Sequence, residues 1–154
     1  MDIKNISKNN LIDTIESIID YNLPLVSNLS NISRILYDAF LNTNWSGFYI
    51  CFDNKDSMYL GPFQGPIACT EIPFNKGVCG TAVTKKKTMI VPNVHEFPGH
   101  IACSTTTNSE IVVPIIKGTK IVGVIDLDSN QLNNYTIEDA HLLEEIASII
   151  SNLF

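Results

Sequence analysis

The residues of this chain best suited to chemistry are three cysteines beside predicted turns or loops, Cys69, Cys79 and Cys103, and three carboxylates, Glu110, Asp126 and Asp128. A thiol becomes a nucleophile or a metal ligand once it is deprotonated. A cluster of carboxylates attracts a cation or an ammonium group. The densest stretch is Gly99-His100-Ile101-Ala102-Cys103-Ser104-Thr105-Thr106-Thr107-Asn108-Ser109-Glu110, a polar segment set between two apolar runs. It lies in a predicted loop from Asn93 to Asn108, and loops longer than about 12 to 15 residues are uncommon in compact domains unless they are functional. Because it leads into the strand-like run Ile111 to Ile116, whatever Cys103 does is done against a sheet.

Strand parity constrains the carboxylates. After Lys120, the residues Ile121, Gly123, Ile125 and Leu127 share one face and Val122, Val124, Asp126 and Asp128 the other, so the two aspartates project side by side. Like charges at that spacing repel unless a cation lies between them. A solvated strand end is the plainer reading. A site for an ammonium group is the sharper one, with Glu110 as a third carboxylate if the hairpin register brings it alongside.

Free cysteine is most often simply buried, and Cys51, in mid-strand without neighbouring charge, is read that way. Cys79 falls near the start of a predicted short helix, whose positive end favours a thiolate. A zinc site from the cysteines with His95 or His100 is disfavoured, because the gaps of 9 and 23 residues between Cys69, Cys79 and Cys103 match no familiar paired spacing. His95 and His100 read as loop residues able to tune a thiol or a proton transfer. His141 reads as a solvated residue of the last helix. Trp45 and Tyr49 share one strand face and are either core or an aromatic wall for an apolar ligand group. Gly77-Val78-Cys79-Gly80 is not a phosphate-cradling loop.

The elements that must position these groups follow from hydrophobic period. Leu11, Ile12, Ile15, Ile18 and Ile19 make one amphipathic helix, and Leu25, Val26, Leu29, Ile32, Ile35, Leu36, Ala39 and Phe40 a second after Pro24. From Asn44 the period is two, and Met58 to Gly61 returns as a hairpin partner past the turn 53–57. Pro62 to Pro66 is expected to break that strand, and Ile67 to Pro73 to form a third one carrying Cys69. Thr88 to Val91 is a brief strand. Ile111 to Ile116 and Lys120 to Asp128 pair through Lys117-Gly118-Thr119. Thr136, with Glu138 and Asp139 after it, starts the last helix, whose buried face is Leu142, Leu143, Ile146, Ile149, Ile150 and Leu153. The order predicts an α+β fold: a central antiparallel sheet of about six strands with N- and C-terminal helices packed mainly on one face.

The chain of 154 residues is expected to form one domain over 1–154, with helices in 1–43, sheet and loops in 44–130 and a helix in 136–154. A formal charge of −6 and a pI near 4.9 weigh against nucleic acid or an anionic membrane as partner. With no secretory signal and no apolar run of about 18 residues, the expected compartment is cytoplasmic, where the cysteines stay mostly reduced.

Taken together, Asn44-Trp45-Ser46-Gly47-Phe48-Tyr49, Leu60-Gly61-Pro62-Phe63-Gln64-Gly65, Ile67-Ala68-Cys69, Gly77-Val78-Cys79-Gly80-Thr81-Ala82, Val94-His95, Gly99-His100-Ile101-Ala102-Cys103, Asn108-Ser109-Glu110-Ile111-Val112 and Asp126-Leu127-Asp128-Ser129 resemble the free methionine-(R)-sulfoxide reductases, single-domain enzymes with a GAF fold. The resemblance covers about residues 34 to 150. It implies reduction of free L-methionine-R-sulfoxide by thiol chemistry, without a bound cofactor or metal. Cys103 would attack the sulfoxide sulfur and keep a sulfenic acid; Cys69 or Cys79 would condense with it to a disulfide that a thioredoxin-like reductant reopens. The family does not assign the thiol roles uniformly, so Cys79 also stands as a nucleophile. Glu110, Asp126 and Asp128 would hold the substrate ammonium, and Trp45 and Tyr49 would enclose its methylthio end. Cys51 and the run Ser104 to Thr107 depart from the family pattern. The rival expectation is a GAF module that senses a small molecule or redox state without turnover. GAF domains often dimerise through terminal helices, which makes a homodimer possible.

Overall fold

The computed structural model describes residues 6–99 and 105–154. In chain order the elements are α1 (Leu11–Ile18), α2 (Leu25–Ala39), β1 (Thr43–Cys51), β2 (Ser57–Gln64), β3 (Glu71–Pro73), α3 (Gly77–Lys85), β4 (Met89–Val91), β5 (Ser109–Lys117), β6 (Lys120–Ser129) and α4 (Ile137–Ile150). The strands form one six-stranded sheet in the order β3-β2-β1-β6-β5-β4, and every neighbouring pair is antiparallel. The expected α+β architecture is therefore observed.

Each sheet face carries its own core because side chains alternate along the strands. On one side Phe48, Ile111, Val113, Ile115, Ile125 and Leu127 pack with Leu29, Ile32 and Leu36 of α2 and Leu143 and Ile146 of α4. On the other, Trp45, Tyr49, Val112 and Val124 pack with Val78, Cys79, Ala82 and Val83 of α3. The long helices thus cover one face, as periodicity predicted, and the second face belongs to α3 and the loops around it. One member of the predicted α2 stripe falls outside it: Val26 is exposed.

Local chemistry explains the boundaries. Thr136 Oγ1 accepts from the Asp139 amide at 3.2 Å and Asp139 Oδ2 accepts from the Thr136 amide at 3.0 Å, a reciprocal cap that starts α4. Gly118, at φ +64°, turns β5 into β6, with Lys117 opposite Lys120.

Two sequence expectations are corrected here. β2 runs through Pro62 to Gln64 rather than stopping at Gly61. Against β1, Tyr49 faces Leu60 and Gly47 faces Phe63, so Gly61 and Pro62 together oppose one residue in a bulge. On its outer side β2 pairs with β3 only over Ser57 to Tyr59, so Pro62 takes no donor from that ladder. Ile67 to Thr70 are not strand; only Glu71–Pro73 pair, which leaves Cys69 in a loop. Gly65, at φ +124°, and the following Pro66 turn the chain away from the sheet edge. The predicted loop from Asn93 also holds one short 3-10 turn, Val94–Glu96.

Candidate active site

Two strands bring the carboxylates together and a third flanks them. Glu110 of β5 lies directly opposite Asp128 of β6, and Val112 opposite Asp126, so Glu110 flanks both aspartates on one face. On the other side of β6, Trp45 of β1 faces Asp128 and Gly47 faces Asp126. The sequence left this register conditional, and a one-residue shift between Ile115 and Ile116 is what aligns Glu110 with Asp128. Val124 shares this face with the aspartates and is buried, so the aspartates sit at the edge of a core rather than at a solvated strand end; Val122, predicted to share it, packs in the opposite core because the register shifts by one residue there.

From the opposite side α3 lowers Cys79 onto them. Its Sγ lies 3.3 Å from Asp126 Oδ2 and 4.0 Å from Glu110 Oε1. Gly80 makes this approach possible, because a Cβ there would stand 2.6 Å from the Pro73 carbonyl oxygen. Gly77, at φ +62°, opens the helix, and its amide donates to the Gly99 carbonyl at 3.2 Å.

Burial dominates the electrostatics. Glu110 and Asp126 are each 6% exposed. Burial and then the Asp128 charge hold Glu110 well above the usual carboxylate range, and burial and then Glu110 do the same to Asp126. Burial, followed by Asp126, raises Asp128 as well. The cluster therefore retains protons that isolated carboxylates would release. For Cys79, burial and then the charges of Asp126 and Glu110 push the thiol well above the ordinary cysteine value. The helix end, expected to favour a thiolate here, is outweighed by two carboxylates and the loss of water. Burial raises Cys51 to about 11, and its thiol stands apart from the cluster, on the far part of β1.

Trp45 and Tyr49 form the aromatic wall. Their rings stack at 5.9 Å, and Phe63 stacks with Trp45 at 5.4 Å. Gly47 lies between them, where a Cβ would come within 2.7 Å of the indole. Both polar handles reach the loop after β2: Trp45 Nε1 donates to the Pro66 carbonyl at 3.2 Å and Tyr49 Oη to the Cys69 carbonyl at 3.0 Å. The wall thus fixes the loop that carries Cys69. Cys69 is disulfide-bonded, whereas among the described residues Cys51 and Cys79 are free.

Together these groups enclose a cavity of about 40 Å³, lined in part by Asn44, Trp45, Tyr49, Cys79, Glu110, Asp126 and Asp128. That is room for a few waters. Two buried acceptors, Asn44 Oδ1 and Asp126 Oδ1, have no hydrogen-bond partner among the described residues. Asn44, Lys76 and Thr107 also line the cavity and were not singled out by sequence. Asn44 opens the motif 44–49 and Thr107 lies in the polar stretch before Glu110, but nothing in the sequence gave either, or Lys76, a role at the site, and only the tertiary fold brings 44, 76 and 107 together. His95 is a loop clamp: its Nε2 bonds Asn108 Oδ1 at 2.9 Å, while Asn108 Nδ2 donates to the Asn130 carbonyl at 2.7 Å. The sequence-predicted residues Cys103 and His100 lie outside the described residues.

The GAF domain family matches residues 26–154. The chain is 44% identical over 123 residues to the free methionine-R-sulfoxide reductase of Escherichia coli (strain K12), covering 80% of this chain and 73% of that protein. It is 44% identical over 142 residues to the free methionine-R-sulfoxide reductase of Saccharomyces cerevisiae, covering 88% and 79%. The solved free methionine-R-sulfoxide reductase of Neisseria meningitidis, in complex with its substrate, superposes with a TM-score of 0.90 at 40% identity, over 96% of this chain and 87% of that one. The chain is a GAF-domain protein and, within that fold, belongs to the free methionine-R-sulfoxide reductase family.

Proposed function

We propose that this chain reduces free L-methionine-R-sulfoxide to L-methionine, using two of its own thiols as the source of electrons. The observation that carries this reading is the cavity in which Asn44 Oδ1 and Asp126 Oδ1 lack donors among the described residues, beside the carboxyls of Glu110 and Asp128. Both orphaned groups are acceptors, so the complementary ligand is a donor, and an ammonium group supplies three N–H bonds and the balancing charge. The stacked Trp45 and Tyr49 rings offer the apolar surface that a methylthio group requires.

In this reading the Cys103 thiolate attacks the sulfoxide sulfur. The oxygen is protonated and passes to the attacking sulfur: the substrate sulfur–oxygen bond breaks, a Cys103 sulfur–oxygen bond forms as a sulfenic acid, and methionine departs reduced by the two electrons that Cys103 has lost. The Cys69 thiol then attacks that sulfenic sulfur, water leaves and a disulfide forms. A thioredoxin-like dithiol returns both cysteines to the reduced state by exchange. The disulfide at Cys69 supports giving it the resolving role, and the carboxylate surroundings of Cys79 argue against its acting as the attacking thiolate. The carboxyl cluster serves two tasks, since it holds negative charge for the ammonium and retained protons for the departing oxygen.

The test is a single turnover. The reduced chain, mixed with free methionine-R-sulfoxide and no reductant, is expected to release one methionine per chain. Cys69→Ser keeps that release but loses thioredoxin-supported cycling, and Cys103→Ser loses both. Full thioredoxin-dependent turnover in Cys103→Ser sinks the assignment of the nucleophile.

A further inference from the structure

We infer that Cys79, Glu110 and Asp126 form a binding site for a thiophilic divalent cation of the zinc and cadmium type, which occupies the ammonium position and blocks the substrate. One ligand atom from each residue lies within 4.8 Å of the others, and all three residues are buried. In a tetrahedral site with metal–sulfur and metal–oxygen bonds of about 2.3 and 2.0–2.1 Å, sulfur and oxygen stand about 3.6 Å apart. The separations of 3.3 Å from Cys79 Sγ to Asp126 Oδ2 and 4.0 Å to Glu110 Oε1 bracket that value. A second observation points to a cation independently of the cluster. Asp126 Oδ1, on a side chain 6% exposed that lines the cavity, has no partner among the described residues.

The donor set selects the metal. One soft sulfur with two carboxylates suits zinc or cadmium, whereas magnesium takes six oxygens at octahedral angles. Three protein ligands leave the fourth position to water from the cavity. Binding transfers the thiol proton, and any carboxyl proton, to solvent without change of oxidation state, so affinity rises with pH. The competition with substrate rests on the proposed function, because both ligands use Glu110 and Asp126; the metal site itself does not.

The experiment titrates cadmium into the folded, disulfide-bonded protein and follows the ultraviolet cadmium–thiolate band. One cadmium per chain is expected, in Cys51→Ser as in the unmodified chain. Cys79→Ser is expected to lose the band, and Asp126→Asn to weaken binding at least tenfold, with circular dichroism showing both variants folded. Zinc should displace cadmium and magnesium should not. No band in the folded chain, or a band that survives Cys79→Ser, overturns the site. Free methionine sulfoxide, added in excess to the disulfide-bonded chain, which cannot turn it over, is expected to weaken cadmium binding at Cys79. A Cys79-dependent band indifferent to methionine sulfoxide upholds the metal site and counts instead against the substrate reading.

Discussion

Asp126→Asn should improve the fold and impair the enzyme, and the two effects have separable sizes. Asn keeps the shape of the side chain, and its oxygen can still face Cys79 Sγ, now 3.3 Å from Asp126 Oδ2. What disappears is one of three clustered charges. Two ionised groups 4.8 Å apart, the outer bound on the spacing of Asp126 and Glu110 ligand atoms, repel by about 3.5 kcal/mol at an effective dielectric constant of about 20. The folded chain avoids part of this by holding protons. Because the pKa of Asp126 is raised by folding, its contribution to stability is fully present below the unfolded value of about 3.9. It is lost as pH rises through the raised folded value. At pH 8 the variant should therefore be more stable than the parent by about 1–3 kcal/mol, or roughly 2–4 °C in Tm per kcal/mol for a chain of this size. The gain should vanish near pH 4. In the same protein, loss of a charged hydrogen bond to the ammonium, about 1.5–3 kcal/mol, should lower kcat/KM for free methionine sulfoxide about 10- to 150-fold. Thermal unfolding from pH 4 to 8, paired with steady-state kinetics, measures both. A variant less stable at pH 8, or one with unchanged kcat/KM, refutes the reasoning.

Two further outcomes follow from the same geometry. N-acetyl-methionine sulfoxide, which has no ammonium to offer the carboxyl cluster, should show kcat/KM lower by a factor of at least about 100, measured beside the free amino acid; equal rates would remove the ammonium site. Gly80→Ala places a methyl 2.6 Å from the Pro73 carbonyl, and the resulting shift of α3 should cost about 1–3 kcal/mol in thermal or urea unfolding. An unchanged midpoint would show that α3 does not depend on that close approach.

Much of the scaffold was legible in the chain because it depends on local period. The alternation from Val124 to Asp128 placed both aspartates on one face before any partner strand was known, but the turn at Gly118, which pairs Lys117 with Lys120, would if carried on set Glu110 against Leu127, and only the extra residue Val122 shifts it to Asp128. Thr136 and Asp139 announced α4 through a cap that involves only neighbouring residues. The Ile67 to Pro73 segment misled for a related reason. Its apolar residues suit a strand, but Gly65, Pro66 and two hydrogen bonds from the distant Trp45 and Tyr49 hold it as a loop.

Sequence by itself therefore settled the α+β layering and the shared face of Asp126 and Asp128, since both follow from hydrophobic period and residue alternation; the register with Glu110 depends on one extra residue in β6, which neither reveals. Tertiary structure alone decided that α3 covers that face and that Cys79, placed by helix position to ionise, instead meets Asp126 and Glu110 and keeps its proton. The helix end acts on a thiol through a few partial charges, whereas burial beside two carboxylates removes water and adds repulsion at once. Neither effect can be read from the neighbours of Cys79 in the chain, because the groups that cause it are 31 and 47 residues away.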